Sequence, residues 1–185
     1  KSVLHAMSIP EGYNIDQIAD ALAAKRLVNR QEFVKMARDP QMARLLGINE
    51  KTLEGYLYPE TYSFTHFTGE HVILKTRVEK FKEVYNRDIK FAADKIGMSM
   101  HDIVTMASII EKETGAPEER PIISSVFHNR LKIRMPLQSD PTVIYGKKGD
   151  KKNISRKDLT TPSPYNTYTQ RGLPVGPISN PGRSA

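Results

Sequence analysis

The sequence predicts an α+β protein, mostly helical with a small β portion. Three observations carry this. Apolar residues recur at helical spacing between capping residues over much of the 185-residue chain. A short strand-like run, VLHAMSI at residues 3–9, opens it. The stretch KTLEGYLYPETYSFTHF at residues 51–67 is rich in aromatics but broken by Gly55 and Pro59, so it reads as extended chain and turns. At 38% hydrophobic and 26% charged residues, the chain has enough apolar side chains for a core, and wholesale disorder is excluded.

The elements follow in order. After the strand, Pro10-Glu11-Gly12 turns the chain. Asn14 caps a predicted helix from 15 to 26, with Ile15, Ile18, Ala19 and Leu22 on one face. Shorter helices are predicted near 31–38 and 41–46, and Gly47 closes the second. This opening is the size of a small module, and the predicted division falls at 1–50 and 51–185. From Gly69 to Gly97 the chain is helical. Ile73, Leu74, Val78, Phe81, Val84 and Tyr85 form its apolar stripe, and Lys, Arg and Glu fill the other face. Ser99, with Asp102 three residues on, starts a helix that Gly115 and Pro117 stop after Thr114. The next helix spans about 118–131, with Pro121 in its first turn and Ile122, Ile123, Val126, Phe127 and Leu131 as its apolar face. Asp140 reads as the cap, and Pro141 as the first position, of a short helix reaching Tyr145. Ser155 caps a brief turn, and from Thr161 the chain is rich in Pro, Gly and Asn.

Composition excludes several chemistries. With no cysteine, disulfides, thiolate catalysis and cysteine–zinc sites are ruled out. No apolar run approaches the ~20 residues of a membrane-spanning helix. The five histidines show no metal-ligand spacing, so no metal is expected. Phosphate-loop, dinucleotide and nucleophile-elbow motifs are missing, and no cofactor is expected. The net charge of +7 is concentrated. Residues 130–157 hold nine basic side chains against Asp140 and Asp150, whereas residues 1–129 hold 17 basic and 18 acidic. Such a segment reads as a patch for a polyanion or as a solvated loop, Lys147 to Lys152. Tyr145 is its only aromatic, which argues against nucleic acid.

One carboxylate stands out. At ~100° per residue, with Ile103 at zero, Ile110, Ala107, Met106 and Val104 form an apolar arc on the helix after Ser99. Glu111 falls inside the arc at about +80°, with Thr105, Ser108 and Lys112 on the far side and Glu113 on the other flank. A carboxylate on a buried face has its pKa raised, which suits a general acid. The alternative is an ion pair with Arg120 or Arg130. No second carboxylate is compelling: Glu113 points away, and the cap accounts for Asp140.

Three blocks in order then carry a resemblance. They are LEGYLYPETYSF (53–64); ASIIEKET (107–114) followed by ERPIISSVFHNRL and MPLQSDPTVIYG (to 146); and DLTTPSPYNTYTQRGLPVGPISNPG (158–182). Together they resemble the endolytic murein transglycosylase family, also called YceG-like. The resemblance implies endolytic cleavage of the β-1,4 bond between N-acetylmuramic acid and N-acetylglucosamine. No water is added, and the muramic acid 6-hydroxyl closes on its own C1 to leave a 1,6-anhydro end. It implies that Glu111 is the acid/base, the residue the helical wheel also picks. A nucleophile supplied by the substrate then makes a second carboxylate unnecessary. It further implies a glycan groove lined by Gln138, Ser139, Asp140, Tyr145, Tyr165, Asn166, Thr167 and Tyr168, with Glu113 supporting the charge state of Glu111. The implied fold is a lysozyme-like catalytic part after a LysM-like strand–helix module, into which IPEGYNIDQIADAL (9–22) fits. Implied partners are peptidoglycan strands and peptidoglycan synthases, with no nucleic acid. The implied location is the extracytoplasmic side of the bacterial membrane, through one N-terminal helix not in this chain. The family also continues past the NPG motif, so the resemblance implies a fragment. Two alternatives stand beside the enzyme: a non-catalytic glycan-binding or scaffold module, and a nucleic-acid-binding domain resting on the basic segment.

Overall fold

The structure, a computed structural model, describes residues 4–147 and 153–185. The predicted class holds: the chain is mostly helical with a two-stranded sheet. Strand β1 (His5–Ser8) leads through the predicted turn to α1 (Ile15–Ala24). Asn14 closes a full capping box there: its side chain accepts from the Gln17 N–H at 2.9 Å, and its own N–H donates to the Gln17 side chain at 3.0 Å. Asn29 and Asp39 cap α2 (Arg30–Ala37) and α3 (Pro40–Leu45), and Pro40 occupies the first position of α3.

Strand β2 (Thr61–Phe64) returns antiparallel to β1, with His5 opposite Phe64 and Ser8 opposite Thr61. A two-stranded ribbon is marginal alone. This one is held because Met7 and Phe64 enter the larger core with residues of α1, α2 and α4 (Glu70–Val84). The pairing joins a strand from residues 1–50 to one from residues 51–185. Gly55 shows how tightly the segment before β2 packs. Its φ is +91°, and a Cβ there would lie 2.5–2.7 Å from Pro177 and Val104.

The stripe predicted on α4 is buried, but Arg77, expected on its polar face, is buried with it. The guanidinium lies 4.5 Å over the Tyr62 ring and donates to the Tyr58 carbonyl at 3.2 Å, while burial pulls its pKa down to about 10. A π-turn, Tyr85–Ile89, links α4 to α5 (Lys90–Ile96), and Gly97 ends α5 with φ +69°.

Helix α6 (Met100–Glu113) starts at Ser99 with the predicted capping box. It runs between two cores. Val104 belongs to the larger, while Met106, Ile109 and Ile110 belong to a second with Phe127, Leu137 and Ile178. The expectation of a polar far side fails for this reason: Thr105 and Ser108 are fully buried. Ser108 answers burial with hydrogen bonds, donating to the Thr105 carbonyl at 2.7 Å and accepting the Ile178 N–H at 3.0 Å.

Helix α7 (Arg120–Lys132) follows a short 3₁₀ turn, Pro117–Glu119. Its predicted apolar face is too wide. Phe127 is buried and Ile123 and Leu131 pack on the second core, but Ile122 is 66% and Val126 43% exposed, because α7 meets the core along a single side. The cap of α8 (Asp140–Gly146) is Ser139, and Asp140 lies inside the first turn, where its carboxylate accepts the Tyr168 hydroxyl at 2.5 Å. Ser155 caps α9 (Arg156–Thr160) as predicted.

Of the basic segment, Arg130 donates to the Leu137 carbonyl at 2.6 Å and Lys147 pairs with Asp158 at 2.7 Å. Lys148, Lys151 and Lys152 lie outside the described residues. Among the described residues, no helix is long and apolar enough to cross a membrane.

Candidate active site

Glu111 sits in the last turn of α6, and its side chain is 7% exposed. The helix aims it at two other segments, the turn before α1 and the irregular tail after Ile178. A Cβ on Gly12 would meet Glu111 Cγ at 3.3 Å, and the Gly182 N–H donates to Glu111 Oε2 at 3.0 Å. On the remaining side, Arg120 Nη2 donates to Oε1 at 2.7 Å. Of the two arginines considered from sequence, it is therefore Arg120 that pairs with Glu111. Arg120 is as buried as its partner, and its Nη1 donates to the Ser184 hydroxyl.

Burial pushes the Glu111 carboxyl above its ordinary range. The Gly182 N–H and the Arg120 charge oppose this, and the nearby Glu11 carboxylate adds to it. A poised carboxyl of this kind can hold a proton and release it to a substrate atom. Ile110, Gly182 and Arg183 also border an apolar cavity of about 200 Å³, with Tyr58, Phe81 and Met106 among its walls.

The other candidate residues gather where the start of α8 meets residues 165–168. Ser139 N–H donates to Thr167 Oγ1 at 3.0 Å, and the Thr142 and Thr167 hydroxyls lie 2.9 Å apart. Ser139, Asn166 and Thr167 are buried. Asn166 spends its amide on the Asp158, Leu159 and Thr161 carbonyls at 2.7–3.2 Å. Tyr145 packs edge-on against Tyr165 at 4.8 Å and donates its hydroxyl to Glu54 at 2.8 Å. These side chains hold the loop together. Glu113, Gln138 and Asp140 are exposed, and Tyr168 stands half-buried beside Asp140. Gln138 holds a left-handed backbone, φ +54°, with its N–H on the Thr167 carbonyl at 3.1 Å. Glu113 accepts the Ser139 hydroxyl, which ties the end of α6 to this rim.

Sequence reasoning missed two residues that organise the site. Glu54 is 2% exposed, and burial raises its carboxyl to about 7. It accepts the Ile15 N–H at 3.1 Å, the Asn180 amide at 2.9 Å and the Tyr145 hydroxyl. Asn180 Oδ1 accepts the Gly55 and Leu57 N–H groups, both at 2.9 Å. Its Nδ2 donates to the Tyr13 carbonyl at 2.9 Å. A Glu between Leu53 and Tyr56 was a usable signal, but outside a helix no wheel reveals its burial. Among the described residues, no group of His, Cys, Asp and Glu could hold a metal ion.

A sequence model of the YceG-like family matches residues 1–185. The endolytic murein transglycosylase of Bacillus subtilis (strain 168) is 36% identical over 197 residues, covering 97% of this chain and 54% of that protein. The endolytic murein transglycosylase of Streptococcus pneumoniae (strain R6) is 31% identical over 211 residues, covering 99% of this chain and 38% of that protein. The chain thus spans about half the length, or less, of these curated relatives. A crystal structure of a YceG-like protein of Listeria monocytogenes superposes with a TM-score of 0.88 at 38% identity, over 98% of this chain and 65% of that one.

Proposed function

This chain belongs to the YceG-like family, and from that premise we propose that it carries the acid/base site of an endolytic peptidoglycan lytic transglycosylase. The observation that carries the reading is Glu111: a buried carboxyl, raised above its ordinary range, on the helix end where three segments converge. In its protonated form Glu111 donates to the departing oxygen of the β-1,4 bond between N-acetylmuramic acid and N-acetylglucosamine. Positive charge develops at C1. The ionised carboxylate then takes the proton from the muramic acid 6-hydroxyl as that oxygen attacks C1, leaving a 1,6-anhydro end. Holding the hydroxyl beside C1 replaces an encounter with water by an intramolecular step. Glu113, Gln138 and Asp140 offer exposed polar groups for sugar hydroxyls and amides, beside the half-buried Tyr168.

The same reading places the protein on the extracytoplasmic side of the bacterial membrane, beside peptidoglycan synthases, with an N-terminal helical anchor in the whole protein. The catalytic part is lysozyme-like. Residues 1–50 are read as a LysM-like opening, and its strand β1 pairs with β2 of the following part. A second reading, a non-catalytic peptidoglycan-binding or scaffold module, is favoured by one observation. A 2.7 Å pair between two buried side chains, Glu111 and Arg120, is also what a structural salt bridge looks like.

Digestion of purified peptidoglycan, with products read by mass spectrometry, separates them. The parent is expected to release internal fragments with 1,6-anhydromuramic ends, and Glu111→Gln none. Anhydro ends from Glu111→Gln would remove Glu111 from the mechanism. Reducing ends would make the protein a hydrolase, and binding without cleavage by the parent would favour the module.

A further inference from the structure

Arg120 faces a second carboxylate. Glu11, on the turn between β1 and α1, brings Oε2 to 3.8 Å from the same Nη2 that pairs with Glu111. The turn is pinned on both sides. Gly12 N–H donates to the Asn180 carbonyl at 2.9 Å, and Lys112 Nζ donates to the Gly12 carbonyl at 3.5 Å. The Glu11 carboxylate lies over Gly182, where a Cβ would come within 1.8 Å of its Oε1. Gly182 does not have a positive φ, and with no Cβ it leaves Glu11 in place over it.

With both carboxylates ionised, Glu11 and Glu111 share the one guanidinium between them. A proton on either leaves Arg120 to the other. If Glu111 takes that proton and Glu11 were absent, the buried guanidinium would lose its counterion, a state that burial strongly disfavours. With Glu11 present, the guanidinium keeps a partner within a short side-chain swing. We propose that Glu11 is a positioning residue of this site: it takes over Arg120 while Glu111 holds the proton, and so keeps Glu111 available as the acid. This rests on the role given to Glu111 above and adds a residue to it. The charged and polar groups facing Glu111 are Arg120 from α7, Glu11 from the turn, Lys112 from its own helix and the Gly182 N–H from the tail. The Glu11 side chain is 47% exposed, so substitution there leaves the cores untouched.

The test is the pH profile of kcat/KM on soluble, uncrosslinked glycan strands for the parent, Glu11→Gln, Glu11→Asp and Glu111→Gln. A ¹³C titration of the Glu111 carboxyl in the first three accompanies it. Removing the Glu11 charge favours ionised Glu111. The alkaline limb in Glu11→Gln is therefore expected to move down by about one pH unit, with up to about tenfold lower activity at neutral pH. The acidic plateau stays in place, the carboxyl titration moves with the limb, and Glu11→Asp moves less. An unshifted limb and titration in Glu11→Gln, beside an inactive Glu111→Gln, would overturn the role of Glu11 and leave the acid assignment standing. So would a uniform loss at every pH. Activity in Glu111→Gln would overturn both.

Discussion

Glu54 is held by neutral donors: a backbone N–H, an amide and a phenol. Burial is the largest influence on it and lifts its carboxyl from an ordinary 4.5 to about 7. The sign of the consequence follows from linkage. The folded chain binds this proton more tightly than the unfolded chain does. The contribution of Glu54 is therefore fully present below about pH 4.5 and is lost as pH rises through about 7, a change of about 3 kcal/mol. Glu54→Gln keeps the shape and an acceptor but cannot titrate. Between pH 5 and 7 its stability, measured by urea midpoints, is expected to fall less with pH than that of the parent. Parallel curves would mean that Glu54 ionises normally in the folded chain. At this scale the sequence was readable where a periodic element supplied a reference. Glu111 could be flagged because a helix assigns each residue a direction. Glu11 and Glu54 sit in turns, where no period tells inside from outside.

Helix ends were legible because capping is local chemistry. Asn14, Ser99 and Ser155 each close a box with a residue three positions on; all three were named as caps from the sequence, and Ser99 from that spacing. Helix faces were less legible, because a face is defined by what lies opposite. Helix α6 has a core on either side, so Thr105 and Ser108 are buried despite being polar. Helix α7 touches one core along one side, so Ile122 and Val126 stay exposed despite being apolar. The two kinds of feature differ in energetic consequence. Ser108→Ala would leave the buried Ile178 N–H without an acceptor, at a cost of about 1–3 kcal/mol. Ser99→Ala removes an exposed cap, at a cost of about 1 kcal/mol. Denaturant unfolding of the two variants is expected to rank them in that order. The reverse order would mean that another group satisfies Ile178.

Across the whole molecule, Asn180 joins parts of the chain that no local pattern links. Its amide reaches the Tyr13 carbonyl, 167 residues away in sequence, along with the Gly55 and Leu57 N–H groups and the Glu54 carboxylate. Two residues further on, Gly182 meets Glu111. The resemblance picked out the blocks containing Glu54, Glu111 and Asn180 one after another. It could not say that the first and third lock together beside the second. Asn180→Asp tests the lock with almost no change of shape. The aspartate keeps the acceptor for Gly55 and Leu57 but turns the donor facing Glu54 and Tyr13 into a second acceptor. Two buried carboxylates in contact cannot both ionise cheaply, so the pair takes up a proton more avidly than Glu54 alone. By the same linkage the variant loses more stability at pH 8 than at pH 5, about 2–4 kcal/mol at neutral pH. Placing Glu54→Gln beneath it removes one of the two charges and is expected to abolish most of that pH dependence. Urea unfolding of the parent, the two single variants and the double variant at both pH values completes the cycle. A loss equal at both pH values in both backgrounds would show that the two side chains are not coupled, and the tail carrying Gly182 would then be held at Glu111 by its backbone contacts alone.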